Sequence, residues 1–330
     1  MGADIRTKKQ QVCRAGDFLV AEIDAKVGGF GIVPGDLDGA IVSSHYFLFD
    51  QNQAKLDRTF LGYFCRSTDF RKQVSAQGST NYAAIRPAHI LKYEIPLPPL
   101  AEQQAIVARL DTLAGKGRQL TAHLDAIGAD AVAFILSIHH KLAGGRSAPL
   151  SDLLELHEER EVVALGREYP QVGVRSFGGG LFAKPSVAAM DTTYRAFNTL
   201  FSGAIVLSQV KGWEGAIALT PPDLIGRFAS PEYRTFRCIE GEANADYLGA
   251  LFRTPWFWSL LQEATRGVGA RRERTRPEQF LNVTLPMPPY ADQCKAVEIF
   301  SRVDDLKVHH VAQRHIAANL LPATLERVFA

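Results

Sequence analysis

The chain repeats its own sequence, and this feature limits its possible folds more than any other. Residues 95–104 read IPLPPLAEQQ, and at an offset of 190 (285 minus 95) residues 285–294 read LPMPPYADQC. Upstream, Gly16 matches Gly203 at an offset of 187. A run of matches whose offset changes only by small insertions or deletions indicates a duplicated structural unit. The sequence therefore predicts two copies of one unit.

Each copy has the pattern of a mixed α and β globule followed by a long helix. The prolines 96, 98 and 99 lack backbone donors and favour extended neighbours, so they mark the end of the first globule. Runs typical of strands precede them, together with stretches typical of helices. The strand-like runs are residues 17–23, 40–49, 204–210 and 215–219, and the helix-like stretches are residues 56–72 and 246–264.

After each proline motif the apolar residues follow the three-and-four spacing of a coiled-coil seam. The spacing predicts a helix from Leu100 to about Ala143, roughly 60 Å long, and a second one after Pro289. We expect the two helices to pack antiparallel. The first seam is Gln103, Ile106, Leu110, Leu113, Gly117, Leu120, Leu124, Ile127, Ala131, Phe134 and Ile138, and the second is Val297, Phe300, Val303, Leu306, Ile316, Leu320, Leu321, Leu325 and Val328.

The fold class that follows is α+β, with four segments in chain order. These are a first globule (1–95), a first helical spacer (96–145), a second globule (146–285) and a second spacer (286–330). The two globules differ in length, because the stretch from Arg146 to Gly203 is much longer than the equivalent stretch from Met1 to Gly16. The segment from Ser147 through roughly Met190 therefore has no counterpart in the first globule. Either that globule is truncated and impaired, or another chain completes it.

The proline motif and the helix start that follows it occur twice in the chain. This repeated pattern resembles that of the specificity subunit of type I restriction-modification systems. The first copy stands as residues 95–104 followed by Ile106, Val107, Leu110 and Asp111. The second copy is degraded at five positions, which are Met287, Tyr290, Asp292, Cys294 and Ser301.

This resemblance implies a non-catalytic protein of phage defence and DNA methylation. Two target-recognition domains would each read half of a split double-stranded DNA sequence. The helices would bind two adenine-N6 methyltransferase subunits, and translocating nuclease subunits would join them. S-adenosylmethionine is expected on the methyltransferase, with no cofactor on this chain. The motif residues expected to bind partners are Pro98, Pro99, Glu102, Gln103, Gln104, Pro288, Pro289 and Gln293.

Candidate DNA contacts lie on loops of both globules. The basic segment 267–276 combines glycines, which let backbone approach phosphate, with arginines, which can read guanine. Its counterpart, residues 78–82, offers hydroxyl and amide groups. Each candidate has an alternative interpretation without DNA binding. Residues 267–276 could be a solvated charged loop, residues 78–82 an ordinary turn, and Trp213 part of the core. The candidates are Lys26, Ser79, Thr80, Asn81, Tyr82, Lys211, Trp213, Gly269, Arg271, Arg272 and Arg274.

Other classes of function find weak support. The motif residue Met287 puts a thioether before Pro-Pro-Tyr, where an adenine methyltransferase needs Asp or Asn, and residues 177–181 lack the last glycine of a cofactor loop. Residues 22–26 fail the nuclease pattern, and no phosphate-binding loop occurs. The net charge of +2 requires any DNA-binding surface to be local.

The remaining expectations concern metals, packing and location. The histidine pairs 139–140 and 309–310 lack a third ligand, so we expect surface polar residues and no metal. Trp256 and Trp258 are expected to pack. Four scattered cysteines, with no apolar N-terminal segment or bilayer-length run, predict a cytoplasmic protein. The alternative function is a partner-scaffolding protein of a related phage-defence system with only one working DNA reader.

Overall fold

A computed structural model describes residues 10–75, 85–265 and 274–329. The chain forms two compact units: unit 1 comprises Met1–Asp125 and His310–Ala330, and unit 2 comprises Ala126–His309. The division by chain order placed each long helix in a spacer of its own. The compact units instead each include a part of both helices.

Unit 1 contains two small antiparallel sheets, with strand order β3-β2-β5 in one and the pair β1-β4 in the other. Two short helices occupy the region of the helix-like stretch 56–72, because the helix is interrupted between Phe64 and Thr68. The elements are β1 Gln10–Val12, β2 Phe18–Ala21, β3 Phe30–Ile32, β4 Ile41–Ser43, β5 Tyr46–Phe49, α1 Arg58–Phe64, α2 Thr68–Ser75, α3 Pro87–Ile90 and the long helix α4 Leu100–Ala143.

Unit 2 contains a four-stranded sheet in the order β13-β12-β15-β7, a five-stranded sheet in the order β10-β9-β14-β11-β8 and the pair β16-β6. Its elements are β6 Ser147–Pro149, β7 Leu154–Leu156, β8 Glu159–Val162, β9 Glu168–Val174, β10 Leu181–Ala188, β11 Ala196–Thr199, β12 Ile205–Ser208, β13 Ile217–Leu219, β14 Phe228–Ala229, β15 Tyr233–Cys238, α5 Ala245–Phe252, α6 Pro255–Thr265, α7 Pro277–Leu281, β16 Thr284–Pro286 and the long helix α8 Tyr290–Val328.

The strand registers confirm the duplication. In unit 1, β1 pairs with β4 so that Gln11 lies opposite Val42. In unit 2, β11 pairs with β14 so that Asn198 lies opposite Ala229, and both residues are shifted by the same offset of 187. The three-stranded sheet β3-β2-β5 likewise corresponds to β13-β12-β15. The expectation of a mixed α and β fold with two long helices is confirmed.

Each unit has its own apolar core, in which a globule packs on helical segments. In unit 1, one buried cluster contains Phe60 and Phe64 of α1 together with Leu110 of α4 and Leu325 of α8. An ion pair joins Asp125 to Arg314 at 2.5 Å. Moving forward along α4 within unit 1 therefore moves backward along α8, so these two segments run antiparallel.

The buried side of each long helix departs from the predicted seam. Leu110 and Leu124 are buried as expected, but Phe134 is 50% exposed and its neighbour Ile135 is buried instead. Leu124 and Ile135 are eleven residues apart, which fits three turns of an α-helix better than a heptad does, because the helix has 3.6 residues per turn. The prediction that Phe134 belongs to the buried seam was wrong. Positions repeated every seven residues gradually rotate away from the buried side of a straight helix, which has 3.6 residues per turn.

Helix α4 is also long and apolar enough to cross a membrane by length and composition alone. One such helix is weak evidence, because the core helix of a globular protein meets the same test. In this structure Leu110 and Ile135 of the helix pack into the cores of units 1 and 2. The expectation of a chain without a membrane span stays a prediction.

Candidate nucleic-acid interface

The described residues at the two ends of the arginine-rich segment predicted to contact DNA are joined by hydrogen bonds in unit 2. We call this the loop base, defined by Gln209, Thr265 and Thr275. The Thr275 N–H donates to the Gln209 carbonyl at 2.8 Å, at the end of β12. The buried hydroxyls of Thr265 and Thr275 are 3.1 Å apart, so a hydrogen bond holds together the two ends of the segment. These hydrogen bonds fix Thr275, the described end of the segment, against β12 and Thr265.

A short turn carrying two further candidates lies against this base. The turn is a 3-10 helix, Gly212–Glu214, that begins after Lys211. A Cβ at Gly212 would come within 2.5 Å of the Thr275 hydroxyl, so only glycine allows this close approach. The structure therefore brings Lys211 and Trp213 together with the base of the arginine-rich segment.

The described candidates of unit 2 are accessible. Trp213 is 37% exposed, so it is a surface side chain and not part of the core. Lys211 pairs with Glu214 at 3.5 Å, and Arg274 pairs with Glu232 at 3.2 Å. Exposed ion pairs contribute little to stability, so both cations can be redirected to phosphate at small cost.

A hairpin tip that the sequence analysis treated only as a failed cofactor loop joins the same surface. Between β9 and β10, the N–H of Phe177 donates to the Glu214 carbonyl at 2.9 Å, and the Ser176 hydroxyl donates to the Glu214 carboxylate at 2.6 Å. Phe177 is 63% exposed and has a φ of +55°, which non-glycine residues rarely adopt. The sequence signal was the glycine run 178–180, which permits such a tight turn.

Unit 1 has the equivalent base. The Ile85 N–H donates to the Glu22 carbonyl at 2.8 Å, which repeats the bond between Thr275 and Gln209. The Glu22 carboxylate accepts hydrogen bonds from Arg86 at 2.5 Å and from His45 at 2.9 Å. The hydrogen bond to His45, followed by the charge of Arg86, lowers the pKa of Glu22 below its ordinary value. Sequence reasoning missed this cluster, although the offset of 187 pairs Glu22 with Gln209.

Several predicted DNA contacts lie outside the described residues. Ser79, Thr80, Asn81 and Tyr82 fall in residues 76–84, and Gly269, Arg271 and Arg272 fall in residues 266–273. Lys26 is described by its backbone, within the 3-10 turn Asp24–Val27 that corresponds to the turn at Trp213. The DNA contacts expected of these residues stay predictions. In the sequence, residues 76–84 and 266–273 directly precede or lie just before the equivalent residues Ile85 and Thr275.

The proline motifs have an unexpected role inside the fold. Gln103 is fully buried; its Oε1 accepts from the Asp57 N–H, and its Nε2 donates to the carbonyls of Lys55 and Pro98, all at 2.8 Å. In unit 2, Gln293 makes the same three bonds.

The partners of Gln293 are the Asn244 N–H and the carbonyls of Glu242 and Pro288, all at 2.9 Å. Because Asp57 and Asn244 are the N-caps of α1 and α5, each glutamine fastens a globule to a long helix.

This corrects part of the expected partner surface. Gln103 and Gln293 have no exposed side-chain surface, and Pro288 is also buried, so these three side chains do not face a partner. Pro98 is half-buried. The motif residues that remain exposed are Pro99, Glu102, Gln104 and Pro289.

His139 also differs from its prediction as a surface residue. It is fully buried, and its Nδ1 is 2.7 Å from the Tyr247 hydroxyl, within hydrogen-bonding distance. Burial, with a smaller contribution from His140, lowers the pKa of His139 to about 4. At the equivalent place in unit 1, Phe329 packs on Phe60 with ring centroids 5.2 Å apart. Among the described residues, no group of three or more metal-ligating side chains occurs.

The two other tryptophans pack as expected. The Trp258 indole N–H donates to the Phe252 carbonyl at 2.8 Å, and Trp256 contacts the buried cluster of unit 2. Gly215, in the left-handed region at φ +72°, lies against Trp258, where a Cβ would collide with the indole ring. Its counterpart Gly28 has φ +98° and nothing within 4 Å of a Cβ.

Comparison with known proteins agrees with this arrangement. Residues 4–126 match the family model described as Type I restriction modification DNA specificity domain. This part of the chain is therefore similar to a type I DNA specificity domain. The chain is 32% identical, over 108 residues, to the Type I restriction enzyme MjaVIII specificity subunit of Methanocaldococcus jannaschii. That match covers 32% of this chain and spans only 25% of the relative's length.

Solved structures extend the likeness of the fold to the whole chain. A chain from a study of complex assembly and conformational transition of the type I R-M system has a TM-score of 0.66 at 20% identity, covering 100% of this chain and 85% of that one. The HsdS subunit from Thermoanaerobacter tengcongensis has a TM-score of 0.53 at 19% identity, covering 100% and 84%. At these identities the solved structures show a likeness of fold, and the expectation that the chain itself is not an enzyme stays a prediction.

Proposed function

We propose that the chain is a non-catalytic DNA sequence-specificity subunit of a type I restriction-modification enzyme, which reads a split double-stranded DNA target. The observation that carries this proposal is the duplicated loop base. In both units a backbone bond from residue 275 or 85 to the end of an equivalent strand supports a segment with DNA-binding chemistry. Two equivalent supports fit the reading of two half-sites.

The chemistry of unit 2 supports contact with both backbone and bases. Lys211 and Arg274 supply exposed cations for phosphate, beside the exposed rings of Trp213 and Phe177. Phosphate contacts fix the register on the duplex, whereas side chains in the grooves specify the sequence. Arginines 271 and 272 supply the bidentate donors suited to guanine.

The partners in this proposal are adenine-N6 methyltransferase subunits, which dock on the long helices and carry S-adenosylmethionine. Large apolar side chains on the helices support a docking role. Ile127 and Phe134 on α4 are 43% and 50% exposed, and Leu306 on α8 is 58% exposed. Exposed apolar patches mark interaction surfaces. The exposed motif residues Pro99, Glu102, Gln104 and Pro289 flank the helix starts. Nuclease subunits would join this assembly, and its setting would be the cytoplasm.

The decisive experiment is co-purification of the chain with the adenine methyltransferase encoded beside it, followed by methylation mapping of DNA exposed to the complex. We expect a split motif with an adenine in each half. Failure of the chain to bind either the methyltransferase or, in its presence, duplex DNA would refute the proposal.

A second candidate function follows from the smaller sheets of unit 1. The chain would then scaffold partners of a related phage-defence system with only the unit 2 reader working. Methylation mapping would in that case show a single half-motif or its palindromic doubling.

Charge reversal tests the unit 2 reader directly. Reversing Arg271, Arg272 and Arg274 to Glu should abolish sequence-selective DNA binding and leave methyltransferase binding unchanged. A matched control reverses three exposed basic residues elsewhere in the unit, which are Arg146, Lys184 and Arg195. If the first variant binds DNA like the control, unit 2 does not read DNA through this segment.

A further inference from the structure

The turn between β9 and β10 exposes a large apolar ring at a strained backbone position. Phe177 has a φ of +55°, and among the residues that the structure describes it is the only one other than glycine with a positive φ. A side chain in this left-handed region costs free energy that glycine avoids. The ring is also 63% exposed, so burial does not offset that cost. Strained residues cluster at functional sites, which makes this ring a candidate for a contact outside the chain.

The backbone of the turn holds the ring in a fixed direction. The Phe177 N–H donates to the Glu214 carbonyl at 2.9 Å, and the Ser176 hydroxyl donates to the Glu214 carboxylate at 2.6 Å. Gly178, at φ +67°, lies so close to Trp258 that a Cβ there would be 3.0 Å from the indole ring. The turn therefore cannot fold away from the surface without losing these contacts.

The indole of Trp258 supports the exposed ring from one side. The rings of Phe177 and Trp258 have centroids 5.8 Å apart and planes at 71° to each other. Trp258 is itself fixed, because its N–H donates to the Phe252 carbonyl at 2.8 Å and Gly215 lies against it. Phe177 thus has a rigid support behind it and is open to solvent in front.

The charges beside the ring suit a polyanion. The Lys211 ammonium is 3.5 Å from Glu214 Oε2, the same oxygen that accepts from Ser176 next to Phe177. The carboxylate of Glu214 is therefore already paired, and Arg175, which precedes the turn, is exposed. Cations that hold phosphates beside an apolar side chain that enters the base stack are the chemistry of proteins that kink DNA.

We propose that Phe177 is a wedge that inserts between two neighbouring base pairs of the half-site read by unit 2 and kinks the duplex there. This inference rests on the proposed function, because it requires that unit 2 binds DNA. A phenyl ring has no donor or acceptor, so it cannot read base edges through hydrogen bonds. An inserted apolar side chain instead unstacks one base step, and a rigidly supported ring is suited to this because it resists being pushed aside.

The test uses the full chain in complex with the adenine methyltransferase, and a duplex that carries the split motif obtained by methylation mapping. Dyes at the two ends of the duplex report its bend angle through energy transfer. We expect the unchanged complex to bend the duplex and the Phe177→Ala complex to bend it by at least about 20° less, the lower end of the kinks that inserted side chains cause. The variant should also bind the duplex at least about tenfold more weakly, because the bend brings further contacts.

Two further variants serve as controls. Phe177→Leu keeps an apolar wedge and should retain most of the bend. Tyr194→Ala removes another ring of unit 2, which is 40% exposed, and should bend the duplex like the unchanged chain. Tyr194 precedes Arg195, whose carbonyl accepts from the Val163 N–H before β9 begins, whereas Phe177 follows the end of β9. All variants should bind the methyltransferase equally in a pull-down.

The contrary outcomes separate this inference from the proposed function. If the unchanged complex binds no duplex, the proposed function fails and this inference fails with it. If the complex binds the duplex without bending it, or if Phe177→Ala bends it as much as the unchanged chain, only the insertion of Phe177 is refuted. Weaker methyltransferase binding by Phe177→Ala with an unchanged bend would place the ring against the partner protein, which also overturns the inference.

Discussion

The buried glutamine of the second proline motif gives a prediction about stability. Gln293→Leu keeps the side-chain volume approximately but removes three hydrogen bonds to backbone groups, one from the Asn244 N–H and two to the carbonyls of Glu242 and Pro288. A buried polar group left without a partner costs about 1–3 kcal/mol. Glu242 lies at the surface, where water can replace the lost bond. The Asn244 N–H and the Pro288 carbonyl remain without partners, so we expect a loss of about 2–6 kcal/mol in the free energy of unfolding of unit 2.

The assay is urea unfolding followed by tryptophan fluorescence. All three tryptophans, at 213, 256 and 258, lie in unit 2, so the signal reports this unit selectively. The control is Gln262→Leu, which changes an exposed glutamine on helix α6 and should alter the free energy by less than about 0.5 kcal/mol. If Gln293→Leu destabilises unit 2 by no more than this control, the glutamine does not fasten the globule to the helix.

Three further predictions concern stability and partner binding, and the first two use the duplication as an internal control. Gly215→Ala should destabilise the protein by at least about 2 kcal/mol more than Gly28→Ala, because both need a positive φ but only Gly215 abuts an indole ring; equal losses in thermal unfolding would contradict this. In the folded state the pKa of His139 is lowered to about 4, from an ordinary value of 6.5. Between these two values the unfolded chain binds a proton at His139 that the folded protein does not. The stability that His139 contributes above pH 6.5 is therefore lost as the pH falls towards 4, by about 3 kcal/mol in all. The double variant His139→Phe and Tyr247→Phe, which copies the aromatic pair of unit 1, should remove that part of the pH dependence of urea unfolding, and an unchanged profile would show that another group causes it. Phe134→Asp should weaken methyltransferase binding in a pull-down at least tenfold without changing the melting temperature, whereas a lowered melting temperature with full binding would place the ring in the core.

Much of the architecture could be predicted from the sequence, because a duplication leaves the same local signals twice. The prolines before residue 100 and residue 290 forced the ends of the globules, and the apolar spacing after them predicted helices that the structure places at Leu100–Ala143 and Tyr290–Val328. The missing counterpart of Ser147 to Met190 was likewise visible from residue offsets alone. These features depend on backbone constraints and periodicity, which are properties of short segments.

The roles of individual side chains could not be predicted in this way. Gln103 looked like part of a partner-binding motif, and His139 looked like a surface residue, until the fold enclosed both. Ile135 is buried in place of Phe134, because the side of a 44-residue helix that is buried depends on the rotation accumulated along the helix.

The loop bases show the same limit on a larger scale. Thr275 contacts Gln209, and Ile85 contacts Glu22, although a long stretch of chain separates the two members of each pair. The sequence by itself determined that two related units exist and where each helix begins. Only the tertiary structure decided which residues are buried and which segments meet, because burial and contact depend on chain segments that are distant in sequence and become neighbours on folding.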